Sequence, residues 1–212
     1  SDCRCTSRAS AGEWREPVTE HLELLDTSGL AVELHSIHVG LVGNPHQCAE
    51  AAMFIQNFGL PTTLRLAATE PEGYEHITLV PLAHHASLND ATYLYTHTKG
   101  AWAALNGADT DLNTAWRRSM EHDTVTRWKE CLHHLDEGFD AVGSHRIHPP
   151  HGGGYYGGNH WWATSSHLRS LPPIDHATRW HAETWISTNP HARLYDMRPG
   201  WPGHTIFHTE QP

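Results

Sequence analysis

The chain has 212 residues, 38% hydrophobic and 18% charged, with a formal net charge of -10. That length suits one domain with a sizeable core, and the composition is that of a folded chain rather than a disordered one. The acidic balance, with no basic cluster longer than Arg117-Arg118, excludes a broad nucleic-acid surface, and no apolar run is long enough for a membrane span.

Residues 1–13 read as an irregular N-terminus without the apolar core of a signal peptide. A helical pattern begins at Pro17, with Val18, Leu22 and Leu25 on one face, and ends at Gly29. Leu34 to Gly43 predicts a strand running into a glycine turn. Asn44 then reads as an N-cap with Pro45 at the first helical position, and the helix continues to Gly59. Thr62–Leu66 predicts a strand, Tyr74–Asn89 a helix, and Thr92–Thr96 a strand rich in β-branched and aromatic residues. Asn113–Leu135 predicts one long helix, and Phe139–Gly143 a short strand. A loop of His, Pro and Gly follows from Ser144 to Gly154, and Tyr155–Ala163 is extended. Thr164 caps a short helix to Leu171, His176–Ile186 is the last helix, and residues 189–212 read as an irregular tail. Strands alternating with helices predict an α/β fold with a mainly parallel central sheet and flanking helices. In such sheets ligands bind at the carboxyl ends of the strands.

The four cysteines, Cys3, Cys5, Cys48 and Cys131, make neither a zinc nor a disulfide framework, which predicts a reducing compartment, the cytoplasm. Lysine occurs only at Lys99 and Lys129. Lys99 closes Tyr95-Thr96-His97-Thr98-Lys99-Gly100, where a strand empties into a loop. A lysine there can neutralise a phosphate, Thr98 can bond its oxygens, and Gly100 admits close approach. A solvated loop lysine is the plain alternative.

Three further stretches carry chemistry. In Gly157-Gly158-Asn159-His160-Trp161-Trp162, paired tryptophans on a strand face opposite sides, so one is core and the other can stack on a sugar ring. In Arg179-Trp180-His181-Ala182-Glu183-Thr184-Trp185-Ile186, Glu183 sits on a partly apolar helix face and can serve as a general base. An exposed Arg179–Glu183 pair is the alternative. His145, His148, His151 and His160 are set among glycines and prolines, a polar lid or, less compactly, a metal site. No serine elbow, reactive cysteine context or phosphate-cradling glycine motif is present.

Taken in order, His97-Thr98-Lys99-Gly100, Trp116-Arg117-Arg118-Ser119-Met120, Gly158-Asn159-His160-Trp161-Trp162-Ala163 and Glu183-Thr184-Trp185-Ile186 resemble the "HTKG … WR..M … GNFWWA … AE.WI" pattern of bacterial capsular and cell-surface polysaccharide glycosyltransferases. The resemblance spans about residues 14–188. It implies a Rossmann-like GT-A domain that takes a nucleotide-sugar donor and a carbohydrate or other hydroxyl acceptor. It places His97, Thr98, Lys99, Gly100, Arg117 and Arg118 at the donor diphosphate. Gly158, Asn159, His160, Trp161 and Trp162 fall at the acceptor, with Glu183 and Lys99 as the catalytic pair. The Asp-x-Asp metal motif of most GT-A enzymes is replaced here by His97-Thr98-Lys99. Two readings follow: Lys99 screens the diphosphate without metal, or His97 helps to hold manganese or magnesium. Position 160 is His where the family has Phe. A non-catalytic sugar-binding or scaffold domain and a metal-dependent hydrolase built on the histidine loop are the alternatives.

Overall fold

A computed structural model describes residues 3–5, 14–60, 63–70, 75–98, 110–148, 154–175 and 179–200. The fold is mixed α/β. β1 (Cys3–Cys5), β2 (Ser36–Gly43) and β3 (Thr63–Glu70) form a parallel sheet in the order β1-β2-β3. A second sheet has the order β4-β8-β5-β9, from β4 (Thr92–Tyr95), β5 (Ala141–Gly143), β8 (Trp161–Thr164) and β9 (Leu194–Asp196). β8 runs antiparallel to both β4 and β5, whereas β5 and β9 are parallel. The mainly parallel sheet expected from the sequence is therefore corrected to one parallel and one mixed sheet. A ribbon of β6 (Arg146–Ile147) and β7 (Tyr155–Tyr156) stands beside them.

Helices cover both faces. α1 (Arg15–Thr27), α2 (Pro45–Gln56) and α5 (Trp128–Asp136) pack on one side, in a core that includes Val18, Leu22, Leu25, Ile55, Cys131 and Trp162. α3 (His76–Leu88), α6 (Ser165–Ser170) and α7 (Arg179–Thr184) supply the other core, with Leu79, Ala86, Leu168, Ala182 and Trp185 around Trp161. The alternation of a strand thus sends Trp162 to one core and Trp161 to the other. α3 lies close over β2 because Gly40 has no side chain: a Cβ there would stand 2.7 Å from Thr78 Oγ1.

Local signals set the helix starts. Asn44 Oδ1 accepts the His46 N–H at 2.9 Å, and Thr164 Oγ1 accepts that of His167 at 3.2 Å. The single helix expected over Asn113–Leu135 is α4 (Thr110–Glu121), a π-helical turn at His122–Thr126, and α5. Side chains intrude on the backbone ladder at that turn. Trp162 Nε1 donates to the Thr124 carbonyl at 2.7 Å, Thr124 Oγ1 to that of Met120 at 2.8 Å, and Cys131 Sγ to that of Asp123 at 3.3 Å. Such insertions widen a helix locally and mark functional segments. Two short strands, β1 and β9, lie within the stretches 1–13 and 189–212 that were expected to be irregular.

Candidate functional site

Four stretches that are distant in sequence meet at Gly158–Asn159. β4 ends at Tyr95, and two residues on, His97 Nε2 donates to the Gly158 carbonyl at 2.6 Å. From α4, Met120 and Trp116 pack beneath Gly158, which adopts φ +86; a Cβ there would collide with the Met120 sulfur. Asn159, also left-handed at φ 57, donates from Nδ2 to the Ala182 carbonyl of α7 at 3.3 Å. Its Oδ1 accepts Trp161 Nε1 at 2.7 Å. Positive φ at a non-glycine residue is strained and persists only where packing and hydrogen bonds hold it.

The expected site residues divide at this junction. His97, Gly158, Asn159 and His160 are brought together. His160 Nε2 donates to the His97 carbonyl at 3.1 Å. Its Nδ1 meets no partner among the described residues, and burial, aided by neighbouring His97, pushes its pKa well below the ordinary histidine range. Trp161 is fully buried, stacked on Tyr95 at 5.1 Å, so it presents no ring face to a ligand in this arrangement. Glu183 is half-buried on α7, and its charge, after burial, helps to raise the pKa of Tyr155. The Arg179 side chain, Lys99, Gly100 and His151 lie outside the described residues. Arg117 is turned toward α1, with Nη2 2.6 Å from Glu20 and Nη1 3.0 Å from Glu121. Two carboxylates already saturate that guanidinium, so a diphosphate would have to displace them. Arg118 also holds Glu20, but from the exposed side. The two arginines, the Arg118 hydrogen bond first, pull the Glu20 carboxyl down to about 2 against the opposing effect of burial.

Thr98 and Trp162 line a cavity of about 640 Å³ between β2 and β4. Two polar relays, the first of which reaches the cavity through His21 and Thr96, escape a reading by motif. In the first, His21 Nδ1 is 3.0 Å from Glu121 Oε1 and its Nε2 is 3.1 Å from Thr96 Oγ1. Burial opposes ionisation of Glu121, but the His21 hydrogen bond and the charges of His21 and Arg117 hold its pKa below the ordinary value. In the second, Ser144 Oγ donates to Asp123 at 2.7 Å and accepts from His145 Nδ1 at 2.7 Å. His145 Nε2 is then left to accept the Ser119 hydroxyl at 3.1 Å. His145 is buried, left-handed at φ 59, and pushed down to about 4 by burial. Arg198 clamps Asp123 with bonds of 2.8 and 2.9 Å. One signal was available in advance: His21 interrupts the apolar stripe of Val18, Leu22 and Leu25, where a histidine needs a buried partner.

Manganese and magnesium take oxygen ligands. At the end of β4 the described residues are His97 and Thr98, with no carboxylate, and His97 Nε2 is occupied by the Gly158 carbonyl, so these two residues by themselves do not make a site for either ion. Among the described residues, no group of three or more His, Cys, Asp or Glu side chains is arranged to hold a metal, and no helix is long and apolar enough to cross a membrane.

Residues 5–211 match the family model described as Domain of unknown function (DUF8361), so the chain belongs to that family. No curated protein and no solved structure matches it.

Proposed function

We propose that this member of the family is a glycosyltransferase of GT-A type that moves a sugar from a nucleotide-diphosphate donor to an acceptor hydroxyl. The observation that supports this reading is the meeting of the four motif stretches at Gly158–Asn159. Resemblance in sequence does not require stretches so far apart in the chain to touch; a shared site does.

In the proposed step Glu183 takes the proton of the acceptor hydroxyl while that oxygen attacks the anomeric carbon. The bond from that carbon to the diphosphate breaks, and its electron pair leaves with the nucleoside diphosphate. Lys99, with Arg118, stabilises the charge that develops there. A preplaced cation at a leaving group acts on the transition state more than on bound substrate. The reaction in this form needs no metal. His97 and Asn159 fix the turn that carries Gly158 rather than touching the sugar, since their polar atoms are used internally.

The test is release of nucleoside diphosphate from UDP-, GDP-, CDP- and dTDP-sugars, with water as the default acceptor. The expected result is release from one donor series, reduced about 10²–10⁴-fold in Glu183→Gln. Release from none of them, in the presence and absence of added alcohols, would refute the reading. The internal saturation of Asn159 and the burial of Trp161 favour a second reading, a non-catalytic sugar-binding or scaffold domain. Donor that binds without any release would select it.

A further inference from the structure

The second relay ends on a serine. Ser119 is half-buried on α4, just before the π-helical turn that carries the fully buried Asp123. Ser144 and His145, both buried, follow β5 and reach back to that turn and to α4. His145 Nε2 is 3.1 Å from Ser119 Oγ, His145 Nδ1 is 2.7 Å from Ser144 Oγ, and Ser144 Oγ is 2.7 Å from Asp123 Oδ2. The bonds run without a gap from a buried carboxylate to a half-buried hydroxyl.

Each contact needs one hydrogen, and Asp123 decides where they lie. Burial opposes its ionisation, but hydrogen bonds from Arg198 and Ser144 hold its carboxyl below the ordinary value. An ionised carboxylate only accepts, so the Ser144 hydrogen points to Asp123. Ser144 Oγ must then accept in turn, and His145 carries its hydrogen on Nδ1. Burial pushes His145 down to about 4, so at neutral pH the ring is neutral and Nε2 turns a lone pair to the Ser119 hydroxyl. His145 keeps this place at φ 59, with the Gly157 N–H on its carbonyl at 2.9 Å. Such strain at a non-glycine residue gathers at functional sites. A helical serine satisfies its hydroxyl with water or a backbone carbonyl. A histidine oriented by a third group and set against that hydroxyl is the arrangement that activates a nucleophile.

The geometry points to Ser119 as a nucleophilic serine that accepts an acyl group from an activated ester, with His145 as its base and Ser144 and Asp123 as positioning residues for the imidazole. Ser119 Oγ bonds to the carbonyl carbon while His145 Nε2 takes the hydroxyl proton. The bond from that carbon to the leaving oxygen or sulfur breaks, and its electron pair departs with the phenolate or thiolate. The proton on His145 passes to that anion, and Ser119 is left as an ester. A weakly basic imidazole is matched to a leaving group that departs as a stable anion, which selects aryl esters and thioesters over alkyl esters and amides. α4 also carries Trp116 and Met120 of the motif junction, but the relay uses neither, and it does not rest on the transferase reading.

The experiment treats the full chain with p-nitrophenyl acetate at neutral pH and follows p-nitrophenolate release together with the acetylated peptides by mass spectrometry. Ser119 is expected to be acetylated about 10²-fold faster in the native chain than in the chain unfolded in urea, and than in His145→Asn. Ser119→Ala, at a half-buried helical position, is expected to lose this phase of release with an unchanged circular dichroism spectrum. The ring-nitrogen chemical shifts of His145 are expected to show hydrogen on Nδ1 in the unmodified chain and a loss of that tautomer in Ser144→Ala. The comparison of native with unfolded chain holds whether or not His145→Asn folds. Acetylation of Ser119 no faster in the native than in the unfolded chain, full-rate acetylation in a folded His145→Asn, or hydrogen on His145 Nε2 instead of Nδ1 would each overturn the proposal.

Discussion

Gly158→Ala is the most informative single change at the junction. Its backbone is left-handed at φ +86, which an L side chain adopts at a cost of about 1–2 kcal/mol. The new methyl group would also strike the Met120 sulfur, with the Met120 Cε 2.8 Å and Trp116 Cζ2 3.4 Å away. Met120 is fully buried, so it has little room to withdraw, and overpacking of this kind costs about 1–3 kcal/mol more. Together the change is expected to destabilise by about 2–5 kcal/mol. Gly29→Ala is the matched control: its φ is +73, but nothing lies within 4 Å of the Cβ, so only the backbone part of about 1–2 kcal/mol applies. Urea unfolding of both variants measures the difference directly. Adding Met120→Ala to Gly158→Ala should relieve part of the clash, so the pair costs about 1–2 kcal/mol less than the sum of the single changes. If Gly158→Ala is no worse than Gly29→Ala, the close packing of α4 under the junction is wrong.

Three further outcomes are expected. His145 titrates near 4 in the folded chain against about 6.5 unfolded, so below pH 6.5 the unfolded chain binds a proton that the folded one refuses. Its contribution is therefore complete above pH 6.5 and falls by about 3 kcal/mol as pH drops toward 4; His145→Asn, compared by urea unfolding across that window, should lack this part of the slope. Arg198→Ala leaves the fully buried Asp123 carboxylate without its two-bond clamp and should destabilise by about 3 kcal/mol, read from the same transition; a loss under about 1 kcal/mol would mean that Ser144 and Arg127 suffice. Cys131, buried and pushed up to about 12 by that burial, should resist alkylation in the native chain at neutral pH and react only on unfolding, as followed by mass spectrometry.

Much of the fold was legible because its causes are local. The Asn44 and Thr164 caps, the apolar stripe of α1 and the opposed tryptophans of β8 each depend on residues within a few positions of one another. β1 and β9 were not legible, since each has three residues and is a strand only because a distant neighbour pairs with it: Cys3 with Leu41, and Leu194 with Ala141. The break between α4 and α5 was hidden for the same reason. Trp116, Met120, Trp128 and Leu132 keep a helical spacing, and the widening at Thr124 depends on Trp162, which is remote in sequence. Of the residues singled out by motif, Gly158, Asn159 and His97 lie together at the junction, whereas Arg117 is turned to Glu20 on α1 and to Glu121. Partners of buried charges are tertiary facts, and a motif does not carry them. The Glu121–His21–Thr96 relay joins three elements and belongs to no motif at all.

The proposal that this chain is a transferase meets its most direct test in calorimetry with UDP, GDP, CDP and dTDP, each with manganese and with a chelator. The expected result is binding of one nucleotide that survives the chelator and is lost in Lys99→Ala. Binding that needs manganese would keep the transferase and remove the role given to Lys99, whereas no binding of any nucleotide under either condition would contradict the proposal itself.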